Sequence, residues 1–193
     1  MMKHWLETQS GARLDLENPI DFALSDVIWG CARAARYNGQ FRPDIHWYSV
    51  AEHSILVMRA VRDVYNVRDR RVLRTALCHD LSEGLLGDIP TPLKALLPAY
   101  QEIEKRICQV LAERLDLIHP LPQVVKNADR RILLDEVRWI HRPRDRSDWN
   151  LPRDLMPLGI DMPDCWSPRE AHREFKNELR DLGVKEWPCS SDS

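Results

Sequence analysis

The sequence predicts an all-α fold, a compact bundle of about six helices. Its 193 residues are enough for a buried core, because a domain of about 150 residues already hides roughly 68–70% of the surface that it exposes when unfolded. The few glycines (7) and many prolines (13) favour helices separated by stiff loops over a hairpin-rich β fold. Strand-like alternation of apolar and polar residues is almost absent.

Helix boundaries can be placed in order along the first half of the chain. A first helix is predicted over 21–37, where an Asn-Gly pair follows as a stop signal. A second is predicted over 50–64, because Ser49-Val50-Ala51-Glu52 has the pattern of a capping box. A third is predicted over 68–80. Residues 84–92 contain two glycines and two prolines, which predict irregular chain.

The second half predicts three further helices, over 99–117, 122–141 and 167–183. The last begins at Ser167-Pro168-Arg169-Glu170, a capping box with proline at the first helical position. The predicted organisation is a single domain over residues 1–193, with a core over about 20–142, a Pro-rich loop over 142–166 and a C-terminal helix over 167–183.

Composition argues against several classes of protein. The formal net charge is −2 and the isoelectric point is about 6.4, whereas duplex-DNA binders usually carry a strong basic excess. No apolar run approaches the roughly 20 residues of a membrane span, and the first residues lack the apolar core of a secretory signal. Five cysteines without a Cys-x-x-Cys pair suggest neither a disulfide framework nor a cysteine zinc site. We expect a cytoplasmic protein that binds neither duplex DNA nor a membrane.

Four ionisable residues lie on the apolar faces of three predicted helices. They are His53 on the second helix, His79 and Asp80 on the third, and Asp129 on the helix over 122–141. A buried carboxylate without a partner costs several kcal/mol, so these residues need a common explanation. A divalent metal held by two imidazoles and two carboxylates would provide such an explanation. Taken singly, each could instead be a satisfied core histidine or an aspartate paired with a neighbouring arginine.

The order of these residues resembles a known family. His53, then His79-Asp80, then Asp129 resembles the H…HD…D motif of the HD-domain metal-dependent phosphohydrolases. The resemblance implies an all-helical HD-domain bundle whose metal ligands are these four residues. It also implies one divalent transition metal (Mn, Co, Fe, Ni or Zn), with Mg²⁺ as a further ion that could accompany the substrate phosphates.

Three short sequence segments make the resemblance more specific. Residues 48–54 (YSVAEHS) resemble the segment around the family's first metal histidine. Residues 79–94 (HDLSEGLLGDIPTPLK) look very like the HD segment of bacterial 5′-deoxynucleotidases, and 125–129 (VKNAD) resemble their last metal segment. The same strings are similar to small phage HD enzymes, including dATP triphosphohydrolases. The resemblance covers roughly 20–140.

The resemblance also suggests which residues act on a substrate. Glu83 and Asp88 match acids that are tied to water activation or proton transfer. Arg36 resembles an upstream arginine that contacts phosphate, which suits the two parallel hydrogen bonds that a guanidinium donates. The next residue, Tyr37, could border the nucleoside, although some relatives have tryptophan there. Lys94 is a second phosphate candidate.

Further expectations concern the base and the assembly. Trp47 precedes the second helix and could stack on a base. The expected partner is a small-molecule nucleotide. The family also suggests a homo-oligomer, a dimer or larger.

The leading functional hypothesis is hydrolysis of the 5′-phosphate or phosphates of a (deoxy)nucleotide by metal-activated water. The substrate could be a monophosphate, as for a 5′-deoxynucleotidase, or a purine-type dNTP, as for a triphosphohydrolase. Alternatives are a 3′–5′ exonuclease acting on short single strands, a non-catalytic HD module that senses a nucleotide, and a purely structural helical module.

Overall fold

Eight α-helices and a short β-hairpin make up the regular structure of the residues that the computed structural model describes, which are 4–141, 154–161 and 163–189. In the hairpin, β1 (Trp5–Glu7) pairs antiparallel with β2 (Arg13–Asp15). The helices are α1 (Leu24–Arg33), α2 (Val50–Asp63), α3 (Arg70–Leu77), α4 (Glu83–Leu86), α5 (Thr91–Lys94), α6 (Pro98–Arg114), α7 (Gln123–Ile140) and α8 (Pro168–Asp181).

The all-α prediction is confirmed, with corrections to individual elements. The hairpin was not predicted, because strands of three residues are too short to show alternation. The segment over 84–92 holds parts of two one-turn helices, α4 and α5, instead of only irregular chain. Of the predicted Pro-rich loop, residues 142–153 and 162 lie outside the described residues, and the single-domain organisation stays a prediction.

The first predicted helix is too long at both ends. α1 ends at Arg33 because the chain then becomes extended and pairs with the start of α2. The amide of Arg36 donates to the carbonyl of Tyr48 at 3.0 Å, and the amide of Val50 donates to that of Ala34 at 3.0 Å. The chain continues in a 3-10 turn, Arg36–Gly39, in which Tyr37 has φ 54°. This pairing carries Arg36 and Tyr37 to the first turn of α2.

The third predicted helix also ends early. α3 stops at Leu77, and His79 and Asp80 lie in the turn that follows. His79 Nδ1 donates to the carbonyl of Ala76 at 2.9 Å, which fixes the ring against the end of the helix.

One predicted capping box is complete and the other is half formed. At α8, the Ser167 hydroxyl accepts from the amide of Glu170, and the Glu170 carboxylate accepts from the amide of Ser167. At α2, the Ser49 hydroxyl accepts from the amide of Glu52, but the Glu52 carboxylate turns away. It accepts instead from the amides of Cys165 and Trp166, at 2.9 and 3.0 Å.

The core lies around α2, which packs against α1, α3, α7 and α8. Its buried residues include Ile55, Val57, Met58 and Val61. Two buried carboxylates tie the chain before α8 to this core. Glu52 binds the amides at 165–166, and Asp135 on α7 accepts from the amide of Leu158 at 2.8 Å. Within the described residues, no helix combines the length and apolarity needed to cross a bilayer.

Two glycines allow α1 to approach α4 closely. A Cβ on Gly30 would lie 1.7 Å from the carbonyl oxygen of Gly84, and one on Gly84 would lie 2.2 Å from that of Val27. Both obstacles are backbone atoms, so no side chain can rotate away to make room. The missing side chains therefore set how α4, which begins with Glu83, packs on the core.

We predict that Gly84→Ala destabilises the protein, because the added methyl group must push α4 away from α1. Overpacking of this kind costs about 1–3 kcal/mol, which corresponds to a fall in Tm of roughly 3–10 °C for a chain of this size. Thermal unfolding followed by circular dichroism measures the shift. Lys105→Ala on the exposed face of α6 is the control, and a Tm for Gly84→Ala equal to that of the control would contradict the steric account.

Candidate active site

Three elements bring the four predicted ligands together. α2 supplies His53, the turn after α3 supplies His79 and Asp80, and α7 supplies Asp129. His53 Nε2 lies 3.2 Å from Asp129 Oδ1 and 3.7 Å from Asp80 Oδ2. His79 Nε2 lies 3.2 Å from Asp80 Oδ2 and 3.9 Å from Asp129 Oδ1. Nε2 of each imidazole therefore lies within 4 Å of an oxygen of both aspartates.

These separations suit a metal ion. Two ligand atoms that are each about 2.1 Å from one cation stand roughly 3–3.5 Å apart, close to the spacings between the imidazoles and carboxylates here. His53, His79 and Asp80 form a group whose ligand atoms all lie within 4.8 Å of one another. Imidazole and carboxylate together are a donor set that divalent transition metals accept.

The outer nitrogens of the two imidazoles are a second indication of a metal site. Nε2 of His53 and Nε2 of His79 are both buried, and neither has a partner with hydrogen-bond geometry among the described residues. A buried polar atom without a partner is costly, so it calls for an explanation. Both nitrogens point at carboxylates at short range, and the residues therefore fit a divalent cation between them.

The local field favours ionised carboxylates in the cluster. Burial alone would raise the pKa of Asp80, but the neighbouring His79 outweighs it and lowers that pKa to about 2. The pKa of Asp129 is likewise well below its usual range, because the two neighbouring histidines outweigh the effect of burial. The same field raises the pKa values of His53 and His79, so a cation that binds here must displace protons from the imidazoles.

A buried carboxylate that the sequence analysis missed lies behind His53. Glu136 on α7 is fully buried, and its Oε1 accepts from His53 Nδ1 at 2.6 Å and from the Tyr48 hydroxyl at 2.5 Å. Its Oε2 accepts from the Tyr37 hydroxyl at 2.5 Å and lies 3.4 Å from the Arg36 guanidinium. The one available signal was that Glu136 follows Asp129 by seven residues, two turns along the same helix face.

Arg36 and Tyr37 lie at the cluster, where the resemblance placed the substrate. The Arg36 guanidinium is 3.5 Å from Asp80 Oδ2, and its side chain is only 12% exposed. The guanidinium also lies over the Tyr37 ring, 5.3 Å from its centroid. The positive charge of Arg36 is thus directed into the site and not into bulk solvent.

The two predicted acids occupy different positions. Glu83 is buried, and its Oε2 has no hydrogen-bond partner among the described residues. Burial and the negative charges of Asp80 and Asp88 raise the pKa of Glu83 to about 9. Asp88 Oδ2 accepts from the amide of Tyr37 at 3.1 Å, so one of its oxygens holds the 3-10 turn against the segment after α4.

Lys94 and Trp47 have partners within the protein. Lys94 Nζ lies 2.7 Å from Glu104 and 3.9 Å from Glu83, so it lies beside Glu83 but is already paired. The Trp47 indole donates to the carbonyl of Ala32 at 3.2 Å, which ties it to the end of α1. The substrate roles of both residues stay predictions.

Comparison with known proteins agrees with the H…HD…D resemblance. Residues 42–142 match the model of a family described as 5′-deoxynucleotidase YfbR-like. This segment is just over half of the chain and contains the four clustered ligand candidates, Glu83 and Asp88. Arg36 and Tyr37, and the segment over 154–189, lie outside it.

Individual relatives support the same assignment. An uncharacterized protein of Rhodobacter capsulatus is 38% identical over 131 residues, which is 66% of this chain and 66% of that protein. The uncharacterized protein YfdR of Escherichia coli is 32% identical over 136 residues, 69% of this chain and 71% of that protein. A 5′-deoxynucleotidase of Yersinia pestis is 33% identical over 84 residues, 44% of this chain and 41% of that enzyme. The chain therefore belongs to the YfbR-like 5′-deoxynucleotidase family.

Proposed function

We propose that this protein is a metal-dependent nucleotide phosphohydrolase that removes the 5′-phosphate of a deoxynucleoside monophosphate. The observation that carries the proposal is the convergence of two imidazoles and two carboxylates beside an inward-facing arginine. The family match supports a nucleotidase, and it favours the monophosphate over the triphosphate as substrate.

His53, His79, Asp80 and Asp129 would hold the cation. When bound, a divalent metal polarises a phosphoryl oxygen and makes hydroxide available near neutral pH. The half-buried Asp80–Arg36 pair puts a guanidinium next to the ligand cluster. A phosphate that enters the site therefore meets a positive charge that can donate two parallel hydrogen bonds.

Glu83 is the residue best placed to exchange a proton. Its Oε2 is buried and has no hydrogen-bond partner in the described part of the chain, which leaves this oxygen available to water or to a substrate oxygen. The raised pKa means that the carboxyl group can hold a proton near neutral pH and release it when positive charge accumulates nearby. Asp88 acts differently, since its contact with the Tyr37 amide orients the turn that carries Arg36.

The identity of the metal ion and the oligomeric state are part of this proposal. Mn, Co, Fe, Ni and Zn all suit a site of imidazoles and carboxylates. The order of their affinities is generally the same at any such site, so the ligands alone do not select one ion. Mg²⁺ accompanying the substrate phosphates, a cytoplasmic location and a dimeric or larger assembly are further predictions.

The substrate is tested with purified protein, dAMP, dATP and a labelled single-stranded oligonucleotide, each with Mn²⁺, Co²⁺ or Zn²⁺. We expect inorganic phosphate from dAMP as the main product. Release of tripolyphosphate from dATP would show a triphosphohydrolase and not a monophosphatase. Release of mononucleotides from the oligonucleotide would indicate an exonuclease. Nucleotide binding without turnover of any substrate would contradict the enzyme and favour a sensor.

Metal binding should stabilise the fold. A ligand at a hundred times its Kd adds about 2.7 kcal/mol, so Co²⁺ or Mn²⁺ should raise the Tm of chelator-treated protein by roughly 5–10 °C. Asp80→Asn should abolish most of this shift, because it removes one anionic ligand. His46→Ala, at an exposed histidine, is the matched control and should keep the shift. An equal shift in Asp80→Asn would place the ion elsewhere.

Glu83→Gln should reduce kcat about 100-fold or more, since general acid–base catalysis contributes roughly 10²–10⁴-fold. The amide keeps the shape of the side chain but cannot exchange the proton. Steady-state phosphate release from dAMP measures the loss, and Glu102→Gln on the exposed face of α6 serves as the control. A kcat within twofold of the wild-type value would remove Glu83 from the chemistry.

A further inference from the structure

Glu136 is the most completely bonded acidic side chain near the site, and neither the motif nor the family assignment gives it a role. It is fully buried on α7, and four side chains surround its two carboxylate oxygens. A buried carboxylate is tolerated only when partners compensate for its lost hydration. Here hydroxyl, imidazole and guanidinium groups provide that compensation.

The contact with His53 has a definite chemical consequence. Glu136 Oε1 lies 2.6 Å from His53 Nδ1, a distance at which that nitrogen must carry the proton. When the ring is neutral, Nε2 then carries the lone pair, and this nitrogen faces Asp129 and Asp80. Only this form of a neutral imidazole can bind a cation at the centre of the cluster.

The other contacts keep the carboxylate itself from turning. The Tyr48 hydroxyl donates to the same oxygen as His53, and the Tyr37 hydroxyl donates to the opposite one. Arg36 approaches that second oxygen at 3.4 Å. Tyr48 is fully buried in a small apolar cluster with Ile45 and Ile140, so this donor is fixed by packing. The carboxylate therefore has one orientation available.

We infer that Glu136 is a positioning residue, which holds the His53 ring with Nδ1 protonated and Nε2 directed at the metal. The inference rests on the proposed metal-dependent function and adds a residue to it. Partners of this kind behind a metal-bound histidine typically change metal affinity by about 10–100-fold when they are mutated.

The test compares Co²⁺ binding to the wild type, Glu136→Gln and Asp135→Asn, by titration of chelator-treated protein. We expect Glu136→Gln to weaken Co²⁺ binding about 10–100-fold and to change the visible spectrum of the bound ion, because the ring loses its anionic partner. Asp135 is a matched control, since it is an equally buried carboxylate on the same helix but binds the amides of Leu158 and Gly159. Asp135→Asn should bind Co²⁺ as the wild type does.

Each outcome has a fixed meaning. Equal Co²⁺ affinity in the wild type and Glu136→Gln overturns the positioning role and leaves the proposed function standing. An equal loss in Asp135→Asn also overturns it, because the effect would then be general destabilisation of α7. Failure of the wild type to bind Co²⁺, and Mn²⁺ or Zn²⁺ titrated in the same way, overturns the proposed function, and the positioning role with it.

A measurement on the wild type decides the matter if Glu136→Gln does not fold. In Zn²⁺-loaded protein with ¹⁵N-labelled histidine, the His53 ring should show a protonated Nδ1 and a metal-bound Nε2. A metal-bound Nδ1, or an Nδ1 proton that exchanges as freely as that of the exposed His46, would contradict the inference.

Discussion

The burial of ionisable side chains where α2, α7 and the turn after α3 meet is the constraint on which the rest of the structure depends. Charged groups in a helical interior are unfavourable unless each has a partner of opposite sign or a hydrogen-bond donor. Glu136 satisfies this condition through His53, Tyr37, Tyr48 and Arg36. His53 and His79 satisfy it only in part, because Nε2 of each ring has no hydrogen bond among the described residues.

The scaffold around the cluster is arranged to hold these groups in place. Asp88 fixes the turn that carries Arg36 and Tyr37 through an amide of that turn. Gly30 and Gly84 let the helix that begins with Glu83 lie directly on α1. Glu52 directly precedes His53, and Asp135 directly precedes Glu136. Both carboxylates bind the chain that leads to α8. That chain lies outside residues 42–142, the segment that matches the family.

The sequence predicted the fold class from its few glycines, many prolines and lack of strand-like alternation. It predicted the cluster from ionisable residues on apolar stripes together with the H…HD…D resemblance, although His79 and Asp80 lie in a turn and not on a helix. It did not predict Glu136, since an Asp135-Glu136 pair within a helix is more typical of an exposed face. Its partners Tyr48 and His53 are more than eighty residues away in sequence. The end of α1 was missed for a similar reason, because the chain after it pairs with Tyr48 and Val50, more than ten residues away. At the end of α3 the contact is local, a bond from the His79 ring to the carbonyl of Ala76. The short hairpin depends on packing of Leu14 into the core and gives no local signal.

The most direct measurement is a crystal structure of protein loaded with Mn²⁺, with anomalous scattering used to locate the ion. A single strong anomalous peak bonded to His53 Nε2, His79 Nε2, Asp80 and Asp129 is the result that this account predicts. A peak elsewhere, or a pair of imidazoles that bind each other or the aspartates while Mn²⁺ is present in excess, would contradict it.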